Sequence, residues 1–395
     1  MMKDFNFYAP TRVVFGRESE ARLPELIKQY GGTKVLIHYG GGSARRYGLL
    51  DRVEQMLHEA DIDFVELGGV VPNPLLSKVK EGIGLCCREG VDFILAVGGG
   101  SVIDSSKAIA YGVPYEGDVW DFWDGKAVPR ASLPVGVVLT IPAAGSEMSS
   151  STVITQDEGM LKRGFNSDLC RCKFAVMNPE RTFTLPPFQT AAGATDIMMH
   201  TMERYFSKYE DALLTDAIAE ALMRTVKEAV FEVLRDPTDY RCRAAIMWAG
   251  SLSHNDLTEC GTEKDFAVHK LEHELSGLFG VTHGAGLAAI WGSWARYVMD
   301  RHVSRFVKFA VNVMGVENDF TDARRTALRG IEAAERFFRA IGMPTSIPAL
   351  IGRQATEEEI GALVAKCSRG GKMNIGAMEV IRPDDMLAIY RMANQ

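Results

Sequence analysis

The chain has 395 residues, enough for two or three domains, and its 47% apolar and 24% charged content is that of a globular protein with an ample core. A net charge of −7 excludes the basic face that nucleic-acid binding needs. No window is apolar enough for a membrane span and Met1–Phe15 has no signal-peptide run, so a cytoplasmic protein is expected. Seven cysteines, at 86, 87, 170, 172, 242, 260 and 367, form no CxxC pair, and reduced, packed thiols are expected.

Through residue 187 the chain alternates strand-like and helix-like runs. Arg12–Phe15 reads as a strand, Leu23–Tyr30 as a helix and Lys34–His38 as a buried strand. Gly40-Gly41-Gly42-Ser43 follows, then a helix over Leu49–Glu59, a strand over Asp63–Leu67 and a helix from Asn73-Pro74 to about Arg88. Val91–Val97 is the clearest strand; it runs into Gly98-Gly99-Gly100-Ser101 and a helix over Val102–Ala110. This rhythm predicts an α/β domain with a parallel sheet, whose ligands bind beyond the carboxyl ends of the strands. A strand, a turn of small residues and a helix start offer backbone N–H groups to an anion. The Gly98 turn departs from the standard dinucleotide fingerprint, since residue 103 is Ile. At the Gly40 turn no carboxylate stands ready for a ribose 2′-hydroxyl; glycine N–H groups, Ser43, Arg45 and Arg46 favour a 2′-phosphate, hence NADP over NAD. Asp104 and Lys107 are polar where the helix should pack. The hydroxyl-rich run Leu139–Thr152 reads as a polar loop or a second wall of a cofactor cleft.

Beyond Thr184-Leu-Pro-Pro187 the periodicity is helical: Ala191–Phe206, Leu213–Leu234, Arg241–Ser253, Lys264–Phe279, Leu287–Asp300, His302–Met314, Arg324–Ile341 and, behind a Thr-Glu-Glu-Glu capping signal, Thr356–Cys367. The expected division is therefore a dinucleotide-binding α/β domain over 1–187 and an all-helical domain over 188–395. The helical half holds the metal-ligating types. Asp196 and His200 are spaced i, i+4 among the apolar residues Ile197, Met198 and Met199. His269 and His273 share that spacing on a later helix, and His283 follows Gly280-Val-Thr, where the helix should stop and let the chain turn back. A buried Asp and His need a partner, and Asp196 and His200 with two of the three later histidines make an N3O set suited to zinc or ferrous iron. Spacing alone does not choose between His269 and His273. Trp248, Phe266, Trp291 and Trp294 are candidates for an apolar pocket.

In order and spacing, GGGS-x2-D-x2-K at 98–107, Thr140–Glu147, Asp-x3-His at 196–200 and His-x3-His with His283 resemble the iron-containing alcohol dehydrogenase family. Tyr39–Ser43 and Asn73-Pro74 look most like its branch of NADPH-dependent aldehyde reductases and butanol dehydrogenases. The resemblance implies a dimer with an N-terminal dinucleotide domain and a C-terminal metal domain, cofactor and metal meeting in a cleft. It assigns one divalent metal, Fe2+ or Zn2+, to Asp196, His200, His269 and His283, and leaves His273 beside the nicotinamide as a proton relay. Cofactor-lining positions would be Gly40, Gly41, Gly42, Ser43, Gly99, Gly100, Ser101, Asp104, Thr140, Ser149, Lys162 and Thr184. The implied reaction is hydride transfer between NADP(H) and a small aldehyde or primary alcohol. The alternatives are a polyol dehydrogenase, a dehydroquinate-synthase-like enzyme, or a metallohydrolase using the same cage. Two departures touch the cofactor side: Ala144 stands where the family usually has Thr, and Asn178 where Asp is frequent.

Overall fold

The computed structural model describes all residues, 1–395, and the chain divides into two compact units. Tyr8–Leu185 form one; Pro186–Gln395 form the other, together with Met1–Phe7. The sequence reading put these first seven residues with the α/β half. Their place follows from specific bonds: the Lys3 N–H donates to the Gly261 carbonyl at 2.9 Å, Lys3 Nζ pairs with Glu263 at 3.0 Å, and the α-amino group with Asp211 at 2.7 Å.

The first unit is a six-stranded, wholly parallel sheet. Its strands are β1 (Arg12–Phe15), β2 (Lys34–Tyr39), β3 (Asp63–Leu67), β4 (Phe93–Gly98), β5 (Val135–Leu139) and, after a hairpin, β8 (Phe174–Met177), in the order β1-β8-β5-β4-β2-β3. Helices α1 (Leu23–Gln29), α2 (Ser43–Arg46), α3 (Leu49–Glu59), α4 (Leu76–Glu89) and α5 (Gly100–Gly112) connect them. β4 and β5 are buried at every position, which is why they read as continuous apolar runs. The chain steps outward from β2 to β3, then crosses back to place β4 on the other side of β2. That reversal opens a crevice at the carboxyl ends of β2 and β4. The run after β5 is irregular through Ser150, as the polar-loop reading expected, and an antiparallel hairpin of β6 (Ser151–Gln156) and β7 (Leu161–Asn166) follows it, which the sequence reading did not foresee.

The second unit is helical: α6 (Pro187–Tyr205), α7 (Leu213–Arg235), α8 (Tyr240–His254), α9 (Ala267–Phe279), α10 (His283–Met299), α11 (Val303–Asn312), α12 (Ala323–Ala340), α13 (Ile347–Ile351), α14 (Glu357–Cys367) and α15 (Pro383–Ala393). The capping box expected at Thr356 is present with Glu359. Trp291 and Trp294 lie in the core of this unit against Phe206, so they line no pocket, and Trp248 is largely exposed. All seven cysteines are free thiols. No helix is long and apolar enough to cross a membrane.

Candidate metal centre and dinucleotide turns

Helix α6 is buried continuously from Thr190 to Tyr205, so its Asp196 and His200 are almost wholly withdrawn from bulk water. Helix α9 ends on Gly280, whose left-handed backbone (φ 66°) accommodates the stop without a Cβ penalty. Thr282 is extended, and His283 begins α10 rather than lying on a turn. Gly284 makes this approach possible: a Cβ there would stand 2.1 Å from the Ala192 carbonyl oxygen of α6. Two helices therefore touch backbone to backbone one turn from Asp196.

Three imidazoles face a single carboxylate oxygen. Asp196 Oδ1 lies 3.4 Å from His200 Nε2, 3.8 Å from His269 Nε2 and 3.7 Å from His283 Nε2. Asp196 Oδ1 and His269 Nε2 are buried and lack any hydrogen-bond partner. Ligand atoms around a tetrahedral ion bound at about 2.0–2.1 Å stand about 3.3 Å apart. The observed spacings are close to that edge, and N3O chemistry suits a borderline divalent ion, so the residues fit a metal. His273 is half-buried beside the group, its ring 5.7 Å from that of His283.

The outer nitrogens of two ligand histidines carry carboxylates. Glu203 accepts from His269 Nδ1 at 2.8 Å and from the His269 backbone N–H at 2.8 Å. Glu272 accepts from His283 Nδ1 in a short hydrogen bond. Such pairs fix the tautomer and aim Nε2 inward. His200 has instead a stacked neighbour, His254, with ring centroids 4.1 Å apart. Phe266 packs at 4.9 Å from His269, and the buried Arg204, which donates to the His200 carbonyl, lies over the Phe266 ring. Burial opposes charge on His269, but Asp196 and Glu203 outweigh it and raise the ring to about 9. Burial, with the neighbouring His254 and His269, holds His200 well below its usual value.

In the α/β unit, Gly40–Ser43 follow β2, Gly99–Ser101 follow β4, and Thr140 follows β5, all at the same edge of adjacent parallel strands. Gly99 has no room for a Cβ, which would meet Ile141 at 3.0 Å; Gly41 and Gly42 are open and exposed. Asp104 and Ser149 are turned inward. Asp104 accepts from the Ser146 hydroxyl at 2.6 Å and from the Val153 N–H at 2.9 Å. Ser149 accepts from the Ser151 N–H at 3.2 Å. Lys107, fully buried, donates to the carbonyls of Ser146, Ser149 and Ser151 at 2.7–2.9 Å. Asp104 and Lys107 thus clamp the hairpin to α5, which is why they are polar at a packed face. Lys162 is buried on β7 and Thr184 is exposed. Arg45, expected to attract a phosphate, is held by Asp51, Glu54 and Glu66 and lies over the Tyr39 ring; Arg46 remains exposed. Asn178 donates to the fully buried Glu20 at 3.3 Å, where a second carboxylate would repel it.

Residues 10–179 match the model of the iron-containing alcohol dehydrogenases, and residues 190–394 that of the C-terminal domain of the same family. The chain is 40% identical to the NADH-dependent butanol dehydrogenase A of Clostridium acetobutylicum, over 99% of each protein. It is 35% identical to the NADPH-dependent aldehyde reductase YqhD of Escherichia coli, over 99% of this chain and 100% of that one. The crystal structure of the NADH-dependent butanol dehydrogenase A of Thermotoga maritima superposes with a TM-score of 0.95 at 36% identity, covering 100% of this chain and 99% of that one. With both halves matched and the ligand types gathered as described, the chain belongs to the iron-containing alcohol dehydrogenase family, in its branch of butanol dehydrogenases and aldehyde reductases.

Proposed function

We propose that the protein catalyses reversible hydride transfer between a nicotinamide dinucleotide, with NADP(H) preferred, and a small aldehyde or primary alcohol. The observation that carries this reading is the unpartnered Asp196 Oδ1 facing three imidazole nitrogens. Asp196, His200, His269 and His283 hold one divalent ion, Fe2+ or Zn2+, which when bound supplies Lewis-acid polarisation of the substrate oxygen. Glu203 and Glu272 keep His269 and His283 in the tautomer that presents Nε2. Phe266 and the buried face of α6 keep water from the ligands. His273, half-buried beside the centre, passes a proton between substrate and solvent, since an imidazole titrates near neutrality. Backbone N–H groups at Gly99–Ser101 hold the pyrophosphate of the dinucleotide.

The preference for NADP(H) rests on the Gly40–Ser43 turn, which has no carboxylate, and on exposed Arg46. The carboxylates around Arg45 take that guanidinium out of the case. Metal content of the purified protein, with turnover of a series of linear aldehydes using NADPH and NADH, tests the whole reading. One equivalent of metal and a higher kcat/KM with NADPH are expected. A folded protein that takes up no metal would overturn the catalytic assignment; a higher kcat/KM with NADH would overturn only the cofactor preference.

A further inference from the structure

Glu272 is fully buried on α9, yet its carboxylate is not spent on its own helix alone. One oxygen accepts from His283 Nδ1; the other accepts from the Ser276 hydroxyl one turn on. Gly286 leaves the space for this: a Cβ at residue 286 would stand 2.7 Å from Glu272 Oε1 and 2.9 Å from its Cγ. The carboxylate therefore sits against the first turn of α10, where the positive end of the helix dipole favours an anion. Glu272, His273 and His283 have ligand-type atoms within 4.8 Å of one another. They do not make a second cage around a common point, because the His283 nitrogen on that side is engaged by Glu272.

We infer that Glu272 is a positioning residue that sets the metal affinity of the centre through His283. It rests on the metal reading above. The hydrogen bond fixes the proton on Nδ1, so that Nε2 points toward Asp196 with its lone pair available. The negative charge makes the imidazole a stronger donor to a cation. A neutral residue at 272 weakens the donor, while the four ligands stay in the chain.

The test is Zn2+ binding to chelator-stripped protein, read by competition with a chromophoric chelator, beside thermal unfolding of the metal-free form. Glu272→Gln keeps size and an acceptor oxygen but removes the charge. Its Kd for Zn2+ rises about tenfold to a hundredfold, the range for loss of such an outer partner, with little change in metal-free unfolding. A folded Glu272→Gln protein with the parent's Kd overturns the inference, as does a loss confined to metal-free stability. Should that variant not fold, Gly286→Ala displaces the carboxylate without altering its charge and must raise Kd in the same direction; an unchanged Kd overturns the inference equally. If the parent itself binds neither Zn2+ nor, under anaerobic conditions, Fe2+, the metal reading fails, and that outcome is distinct from a parent that binds and variants that bind as well.

Discussion

Gly284→Ala probes whether helix contact builds the metal centre. The new Cβ would stand 2.1 Å from the Ala192 carbonyl oxygen, 2.8 Å from its carbon and 3.1 Å from its Cα. A carbon and a carbonyl oxygen approach to about 3.3 Å, so α6 and α10 must part by about 1.2 Å or bend locally. No flexible side-chain end is involved, since the obstructing atoms are backbone. Asp196 and His200 ride on α6, whereas His283 is the neighbour of the altered residue. A metal site tolerates displacements of about 0.2 Å in its ligand distances, so the shift exceeds the tolerance about sixfold. Overpacking of this kind costs about 1–3 kcal/mol of stability, enough to lower the unfolding temperature without abolishing the fold. Elemental analysis of the folded variant is the assay, with circular dichroism to establish that it is folded. A large loss of bound metal is expected. Full metal content in a folded Gly284→Ala protein would refute the reasoning that this contact brings His283 to Asp196.

Replacing His283 or His269 by Ala should remove metal and turnover together; elemental analysis that finds the parent's metal content in His283→Ala contradicts the ligand assignment. Replacing His273 by Ala should leave the metal in place and alter the pH–rate profile, so a profile superposable on the parent's rules out its proton-relay role. His38 offers a stability test in the other unit. It is buried on β2, bonded to the Leu67 carbonyl through Nδ1 and to the Ser105 hydroxyl through Nε2, and burial depresses it to about 4. The folded unit resists taking up a proton that the unfolded chain binds near 6.5, so stability is full above that pH and is lost as pH falls toward 4. The loss amounts to roughly 3 kcal/mol. Denaturant unfolding of parent and His38→Gln at pH 7 and pH 4.5 should show a smaller pH dependence in the variant, and equal dependences would discount His38 as the cause.

The parallel sheet was legible because β4 and β5 are buried on both faces and carry unbroken apolar runs, and because glycine turns mark their ends. The β6–β7 hairpin was not legible. β6 is rich in hydroxyls and β7 is mixed and polar, and the reason β6 packs lies on α5, where Asp104 and Lys107 satisfy the backbone from outside the segment. Arg45 misled for a similar reason: Glu66, one of its three carboxylates, is twenty-one residues away on β3, whereas Arg45 is on α2. Among the candidate site residues, the i, i+4 pairs brought out Asp196, His200, His269 and His273 without separating the last two, whereas the start of α10 at His283 was hidden by Gly284 and Gly286. Those glycines weaken the helical signal, yet they are small because the Ala192 backbone and the Glu272 carboxylate occupy the space beside them. The supporting carboxylates have a spacing that a closer reading would have caught. Glu203 and Glu272 each follow a candidate ligand histidine by three residues, but each serves a histidine on a later helix: Glu203 of α6 holds His269 of α9, and Glu272 of α9 holds His283 of α10.

That crossed arrangement ties the three ligand-bearing helices to one another. Three buried carboxylates, Asp196, Glu203 and Glu272, gather within one helical unit, and burying unpaired charge is strongly unfavourable. A proton on His269, held there up to about 9 by Asp196 and Glu203 against the effect of burial, relieves part of that charge. In the proposed centre, a divalent ion held by Asp196 Oδ1 and the three Nε2 atoms would relieve more of it, in place of that proton on His269 Nε2. Because Glu203 belongs to α6 but grips α9, and Glu272 belongs to α9 but grips α10, no one helix can move without breaking a charged hydrogen bond to the next. Electrostatic compensation and helix packing are therefore the same constraint here, and the geometry of the ligand set follows from both.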